Sequence, residues 1–131
     1  MIQKVLAEAR ARIVRHSPLE AHASSGLIVD TRSNDERARD GVVPGAVHVP
    51  LSVLEWRADQ TSGYANPVLA DRTLILLCAH GYSSSLAAAR LVELGVDAGD
   101  VDGGFEAWRD AGLPVGEAPA PTGMPGMGRP Q

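Results

Sequence analysis

Cysteine is nearly missing from this chain: Cys78 is the single one among 131 residues. No internal disulfide can form, so a secreted disulfide framework is excluded, and a reduced cytoplasm is the natural compartment for a lone thiol. A dense cluster of lysine and arginine is also missing, and the net charge is a mild −4, so nucleic acid is not an expected partner. No stretch approaches the roughly 20 apolar residues of a membrane helix. Lys4, Glu8, Arg10 and Arg12 break up the apolar residues near the N-terminus, where a signal peptide would need an uninterrupted core. A cytoplasmic protein that binds no membrane is therefore expected. His16, His22 and His48 lack partners at metal-ligand spacing, so no metal site is expected. No internal repeat is present.

What remains describes one domain, with 44% hydrophobic residues and enough length for a core without disulfide or metal staples. Ile2, Val5, Leu6 and Ala9 recur at helical spacing, which predicts an amphipathic helix over the first dozen residues; Ala11 to Val14 either continue it or form a first strand. Ser17-Pro18 opens a short helix, with serine as cap and proline at the first position. Leu27-Ile28-Val29 reads as a buried strand. Ser33 and Glu36 have the spacing of a capping box for a polar helix ending at Gly41. Val43 to Pro50 reads as a turn, a short strand and a stop, Leu51 to Arg57 as a helix, and Gln60 to Asn66 as loop. Thr73 to Leu77 is the most apolar strand. A helix from Ser84 to Leu94 closes at Gly95, Val96 to Val101 holds the last strand, and Phe105 to Ala111 forms a final helix. Strands alternating with helices predict an α/β domain with a mainly parallel sheet. Ligands of such sheets bind at the carboxyl ends of the strands. Two strands deliver polar groups there, one ending at Asp30 and Arg32, the other at Cys78. From Pro114 onward proline, glycine and alanine dominate, which predicts a flexible tail.

The segment around Cys78 concentrates the chemistry. An apolar strand ends at a thiol, a short loop with Gly81 follows, and a helix starts. The first amides of a helix have no internal partner and carry partial positive charge. Loop amides add a concave nest for an anion, and Ser83 and Ser84 bring hydroxyl donors. Such a loop stabilises a thiolate, the reactive form of cysteine. It stabilises a terminal persulfide anion in the same way. On the residues alone, an inert core cysteine is an equally good reading.

Five separated segments add to this. Asp30-Thr31-Arg32 resembles the D-x-R of the rhodanese family, and Glu36 stands where a family glutamate follows. The segment from Gly41 to Pro50 resembles G-x-I-P-G-A-x-x-I-P. Cys78-Ala79-His80-Gly81-Tyr82-Ser83-Ser84 resembles the active loop C-x-x-G-x-[RS]-S, and Gly103 to Trp108 resembles the closing G-G-x-x-x-W. The chain thus resembles a single-domain rhodanese, a thiosulfate sulfurtransferase, from about Arg12 to Val115. The resemblance implies a three-layer α/β domain over residues 1–113, followed by the tail 114–131. It implies that Cys78 takes a sulfane sulfur from a donor such as thiosulfate and hands it, as a persulfide, to cyanide or a thiol. No cofactor is implied. Ala79, His80, Gly81, Tyr82, Ser83 and Ser84 are the expected anion cradle. Arg32 either binds the anionic donor or braces the loop through Asp30 or Glu36.

Other residues admit two roles. His80 serves the substrate or faces solvent, and Tyr82 walls the pocket. Trp56 and Arg57 rim the pocket, with Arg57 supplying charge to an anionic substrate, or Trp56 packs in the core. His48 and Trp108 are expected to be structural, and Met124 and Met127 either to contact a partner or to belong to a disordered end. Gly103-Gly104 fits close backbone packing, since it lacks the G-x-G-x-x-G spacing of a dinucleotide fold. The loop carries no arginine, whereas a cysteine phosphatase or arsenate reductase needs one at the end of C-x5-R; the sixth residue beyond Cys78 is Ser84. The alternative function is a persulfide carrier or binding module serving a dedicated partner protein.

Overall fold

A computed structural model describes every residue, Met1–Gln131. Five strands, β1 (Arg15–His16), β2 (Leu27–Asp30), β3 (Val47–His48), β4 (Leu74–Leu77) and β5 (Ala98–Val101), form one sheet in the order β1-β5-β4-β2-β3. Every pairing is parallel; Asp30 lies opposite Leu77, and Leu76 opposite Asp100. Six helices accompany it: α1 (Ile2–Arg10), α2 (Pro18–Ala23), α3 (Asn34–Asp40), α4 (Leu54–Ala58), α5 (Ser83–Glu93) and α6 (Gly104–Asp110). None is long and apolar enough to cross a membrane.

The central strand β4 is apolar throughout because both its faces are covered, as in other parallel sheets. Its side chains alternate between two cores. Leu74 and Leu76 join Leu54 and Leu91, from α4 and α5, on one side. Ile75 and Leu77 join Ala21, Phe105 and Trp108, from α2 and α6, on the other. Two serines start helices as capping boxes, Ser17 with Glu20 and Ser33 with Glu36, each side chain accepting from the backbone N–H three residues on.

Local pattern misplaced some edges. The first strand is Arg15–His16, beyond the apolar Ala11 to Val14. It forms because the sheet edge needs a partner: Val14 O accepts from Asp100 N and His16 O from Asp102 N. Leu51–Val53 is a 3-10 turn, and the α-helix begins only at Leu54.

The segment after Leu113 makes hydrogen bonds to the domain. Residues 114–131 do not hang free but lie along the domain. Trp108 Nε1 donates to Pro114 O, Val42 bridges Gly116, and Arg57 Nε donates to Pro125 O at 2.9 Å. Asn66 Nδ2 donates to both Gly126 O and Gly128 O, and Gln131 pairs with Gly45 and Ala46. The compositional argument counted the tail's own apolar side chains. The domain holds it instead by its main-chain carbonyls, which every residue has.

Candidate active site

Cys78 follows β4 directly, at the carboxyl edge of the sheet, and is only 5% exposed. Its sulfur accepts two backbone hydrogen bonds, from Gly81 N at 3.2 Å and Ser84 N at 3.4 Å. Ser84 lies in the first turn of α5, whose N-cap residue, Tyr82, supplies no side-chain cap. The cysteine sulfur therefore takes the place of the usual capping oxygen. Burial pushes the thiol pKa up. The hydroxyls of Ser84 and Ser83 and the amides of Ser84 and Gly81 outweigh it, and the net position is below the ordinary value. The Ser84 hydroxyl has one proton, and Asp100 receives it at 2.7 Å. The fixed share of the stabilisation thus falls to the amides and Ser83.

The loop is held in this shape through its carbonyls. Cys78 O accepts from Phe105 N and Ala79 O from Glu106 N, so the loop satisfies the free amides of α6. Gly81 O accepts from Arg10 Nη2 at 2.8 Å and Arg15 Nη2 at 2.9 Å. The carbonyls face outward, which leaves amides facing the sulfur. The fit is close: a Cβ on Gly104 would collide with Cys78 O and lie 2.8 Å from Gly81 N. Gly103-Gly104 thus serves close backbone packing, as its spacing suggested.

Behind the loop sits a carboxylate that local pattern did not single out. Asp100, in β5, has no exposed surface. It accepts from Arg15 Nε and Nη2, Ser84 Oγ and Ser85 Oγ, at 2.7 to 3.2 Å. Arg10 Nε closes the network on Ser85 Oγ. Burial works against the Arg15 charge, but Asp100, with Asp102, outweighs it and pushes the pKa of Arg15 up. A signal was present: an acid within an apolar strand has to be paired. Its partners were unreadable because they lie on α1, β1 and α5.

In front of the sulfur opens a cleft of about 350 Å³. Ala79 and Ser83 line it with Cys78; Thr31, Arg32, Ser33 and Glu36 come from the edge after β2, and Pro50, Leu51 and Ser52 from the segment after β3. The strand ends carrying Asp30-Arg32 and Cys78 do converge. Arg32, however, is a brace. Its Nε and Nη2 hold Asp30 at 3.0 and 2.8 Å, Nη2 also reaches Gly41 O, and the guanidinium stacks 4.0 Å from the Phe105 ring centroid. Only Nη1 is without a partner, and it is buried.

Several expected residues are elsewhere. His80 is mostly exposed and pairs through Nδ1 with Glu106 at 2.7 Å. Tyr82 is 61% exposed, with the Arg10 guanidinium over its ring, and is not part of the lining of the Cys78 cleft. A loop that turns its amides inward sends these two side chains outward. Gly81 and Ser84 contribute amides to the sulfur, and the Ser84 hydroxyl faces Asp100. Arg57 is buried under the tail and does not rim the cleft, while Trp56 is exposed. His48 Nε2 donates to Arg32 O at 2.7 Å and is structural; burial, its largest influence, pushes its pKa down. Trp108 is core.

The family model described as the rhodanese-like domain matches residues 16–111, which includes the whole of this loop. The chain belongs to the rhodanese-like domain family. Among its relatives of known structure, protein RPA3614 of Rhodopseudomonas palustris CGA009, described as a possible tyrosine phosphatase, is 36% identical; the match covers 88% of this chain and 93% of that one, with a TM-score of 0.82. The thiosulfate sulfurtransferase of Pseudomonas aeruginosa shares the fold at 24% identity and a TM-score of 0.59, over 80% of this chain and 19% of that one. The HTH-type transcriptional regulator Rv0324 of Mycobacterium tuberculosis is 32% identical over 118 residues, 87% of this chain. This rhodanese-like domain spans 46% of that regulator's length. The family includes sulfurtransferases, and the Cys78 loop lies within the matched region.

Proposed function

We propose that this rhodanese-like domain is a sulfurtransferase that carries sulfane sulfur as a persulfide on Cys78. The observation that carries this reading is the sulfur itself, facing an open cleft and receiving two backbone amides at 3.2 and 3.4 Å. A thiolate so held attacks the outer sulfur of a donor such as thiosulfate. The donor's S–S bond breaks, sulfite leaves with the electron pair, and the outer sulfur stays bonded to Cys78. In the second step cyanide or a thiolate attacks that outer sulfur, the new S–S bond breaks, and its electrons return to Sγ. One difficult transfer becomes two easier ones. The amides of Gly81 and Ser84, with the Ser83 hydroxyl, stabilise the anion in both steps. Arg32 positions this edge of the cleft through Asp30.

A phosphatase chemistry, suggested by the description of the Rhodopseudomonas relative, fits the residues less well. Phosphate oxygens are normally held by a guanidinium fork at the loop's end. Ser84 stands there, and Arg10 and Arg15 are spent on the far side of the loop. A second reading keeps the persulfide but gives it to a dedicated protein acceptor; the match to less than half of a longer regulator favours it.

Intact-protein mass spectrometry after thiosulfate treatment tests the reading. The expected result is a gain of one sulfur, lost on adding cyanide and absent in Cys78→Ser. No gain with thiosulfate or an organic persulfide overturns it, as does phosphatase turnover matching sulfur transfer. Slow release to cyanide with rapid release to a protein thiol selects the carrier.

A further inference from the structure

A second cavity, of about 230 Å³, lies between the C-terminal segment and the start of α3. Asn34, Arg37 and His48 line it from the domain, and residues Pro119 to Gly126 with Arg129 line it from the tail. It adjoins the Cys78 cleft, since Pro50 and Ser52 line both. No aspartate or glutamate side chain lines it, and Gln131 lines it as well.

Arg37 is the unexplained group there. It is only 5% exposed. Its Nε holds Asp30 at 3.2 Å, but neither Nη1 nor Nη2 donates to any protein group, although both are strong donors. Asp30 is already bound by Arg32 through two nitrogens. This buried cluster therefore sets two guanidiniums against one carboxylate, a surplus of one positive charge. Both Nη atoms of Arg37 keep contact with solvent, since Arg32 Nη1 is the only buried side-chain nitrogen or oxygen without a partner, so the cavity is where water or an anion meets them. Arg129, on the exposed face of the tail, adds a second guanidinium to the cavity. Arginine forks fit carboxylate and phosphate in particular. The Cys78 cleft, by contrast, has Arg32, whose Nε and Nη2 are engaged and whose Nη1 is buried, and the acid Glu36 as charged groups.

We infer that this cavity is an oxyanion subsite, in which Arg37 and Arg129 hold the carboxylate or phosphate of a small thiol whose sulfur reaches Cys78 past Pro50 and Ser52. The inference rests on the sulfur-transfer reading for its substrate, but not for the anion site itself. In the transfer, the thiolate of the small molecule attacks the outer sulfur of the Cys78 persulfide. The bond between that sulfur and Sγ breaks, the electron pair returns to Sγ, and the outer sulfur leaves as the small molecule's persulfide anion.

The test compares acceptors on the full chain loaded with persulfide: 3-mercaptopropionate, a thiol bearing a phosphate monoester, and the neutral 2-mercaptoethanol. The expected kcat/KM ratio of an anionic to the neutral thiol is about tenfold, the equivalent of about 1.4 kcal/mol. That ratio should fall towards one in Arg129→Gln and in Arg37→Gln. Whichever anionic thiol is preferred identifies carboxylate or phosphate as the group held. Arg37→Gln also removes a bond to Asp30, so Arg129→Gln keeps the test sound if that variant folds poorly. Equal rates for all three thiols, or ratios unmoved by Arg129→Gln, overturn the subsite. A separate titration with inorganic phosphate and with acetate follows the arginine Nε–H signals by NMR. A saturable shift of Arg37, weakened in Arg129→Gln, supports the subsite even if Cys78 never takes up sulfur. No shift with either anion overturns it, whatever Cys78 does.

Discussion

Arg15 donates to the carbonyl of Gly81 at 2.9 Å, and the amide of Gly81 donates to Cys78 Sγ at 3.2 Å. A guanidinium on the far side of the loop thus helps set an amide that faces the sulfur. Arg15→Gln should let the Gly81 peptides turn and raise the thiol pKa by about one unit, which lowers the thiolate fraction at neutral pH by up to about tenfold. Iodoacetamide alkylation of Cys78, followed against pH, reads this directly. An unchanged alkylation profile in Arg15→Gln rejects the positioning role.

The lowered pKa of Cys78 also has a consequence for stability. Its folded pKa is below the ordinary thiol value, so the unfolded chain binds the proton more readily. The contribution is fully present above the unfolded value and is lost as pH falls through the folded pKa. The stability of the native protein relative to Cys78→Ser should therefore rise with pH up to about 8.5. Urea unfolding midpoints of the two proteins across neutral to mildly alkaline pH check the sign. A difference that stays flat or falls contradicts the amide cradle.

Asp100→Asn should cost about 3 kcal/mol, because it leaves Arg15 facing a neutral amide at a buried site. The amide also brings donors to a position where four donors already converge. Denaturant unfolding measures the loss. A cost within the range of a surface substitution, about 0.5 kcal/mol, means that the network does not hold the loop.

Gly104 and Gly112 make a matched pair. Both have positive φ, but a Cβ on Gly112 meets nothing within 4 Å, whereas one on Gly104 meets the backbone of the Cys78 loop. Gly112→Ala should cost about 1 kcal/mol, from backbone strain alone. Gly104→Ala should cost clearly more, about 3 kcal/mol, and slow Cys78 alkylation as well. Equal thermal shifts for the two variants would remove the packing argument.

Asn66 holds the tail through one side-chain nitrogen shared by two carbonyls at 2.9 Å. Asn66→Ala should cost about 2 kcal/mol and open residues 118–131 to limited proteolysis, read by mass spectrometry. Cleavage there at the same rate in the native protein would restore the free tail that composition suggests.

Residues that act through their neighbours in sequence were legible. Ser33 and Glu36 build a capping box within one turn of chain, and Thr73 to Leu77 has the apolar run of a strand covered on both faces. The loop from Cys78 to Ser84 is likewise local: a strand end, a glycine with positive φ and a helix start suffice to bring amides to a sulfur. The directions of the His80 and Tyr82 side chains were not legible, since residue order does not say which way a side chain faces once the amides have turned inward.

Sequence by itself therefore determined the alternation of strands and helices, the position of the thiol at a strand end and the absence of a C-x5-R arginine. These depend on residue type and on spacings of a few residues. Tertiary structure alone decided which charges meet. Arg10, Arg15 and Asp100 converge behind Gly81 across separations of up to 85 residues, and Arg32 and Arg37 share one carboxylate. Tertiary structure also decided the path of the tail. Its anchors are main-chain carbonyls, identical in every sequence, and only the folded domain presents Arg57 and Asn66 at the right places to hold them.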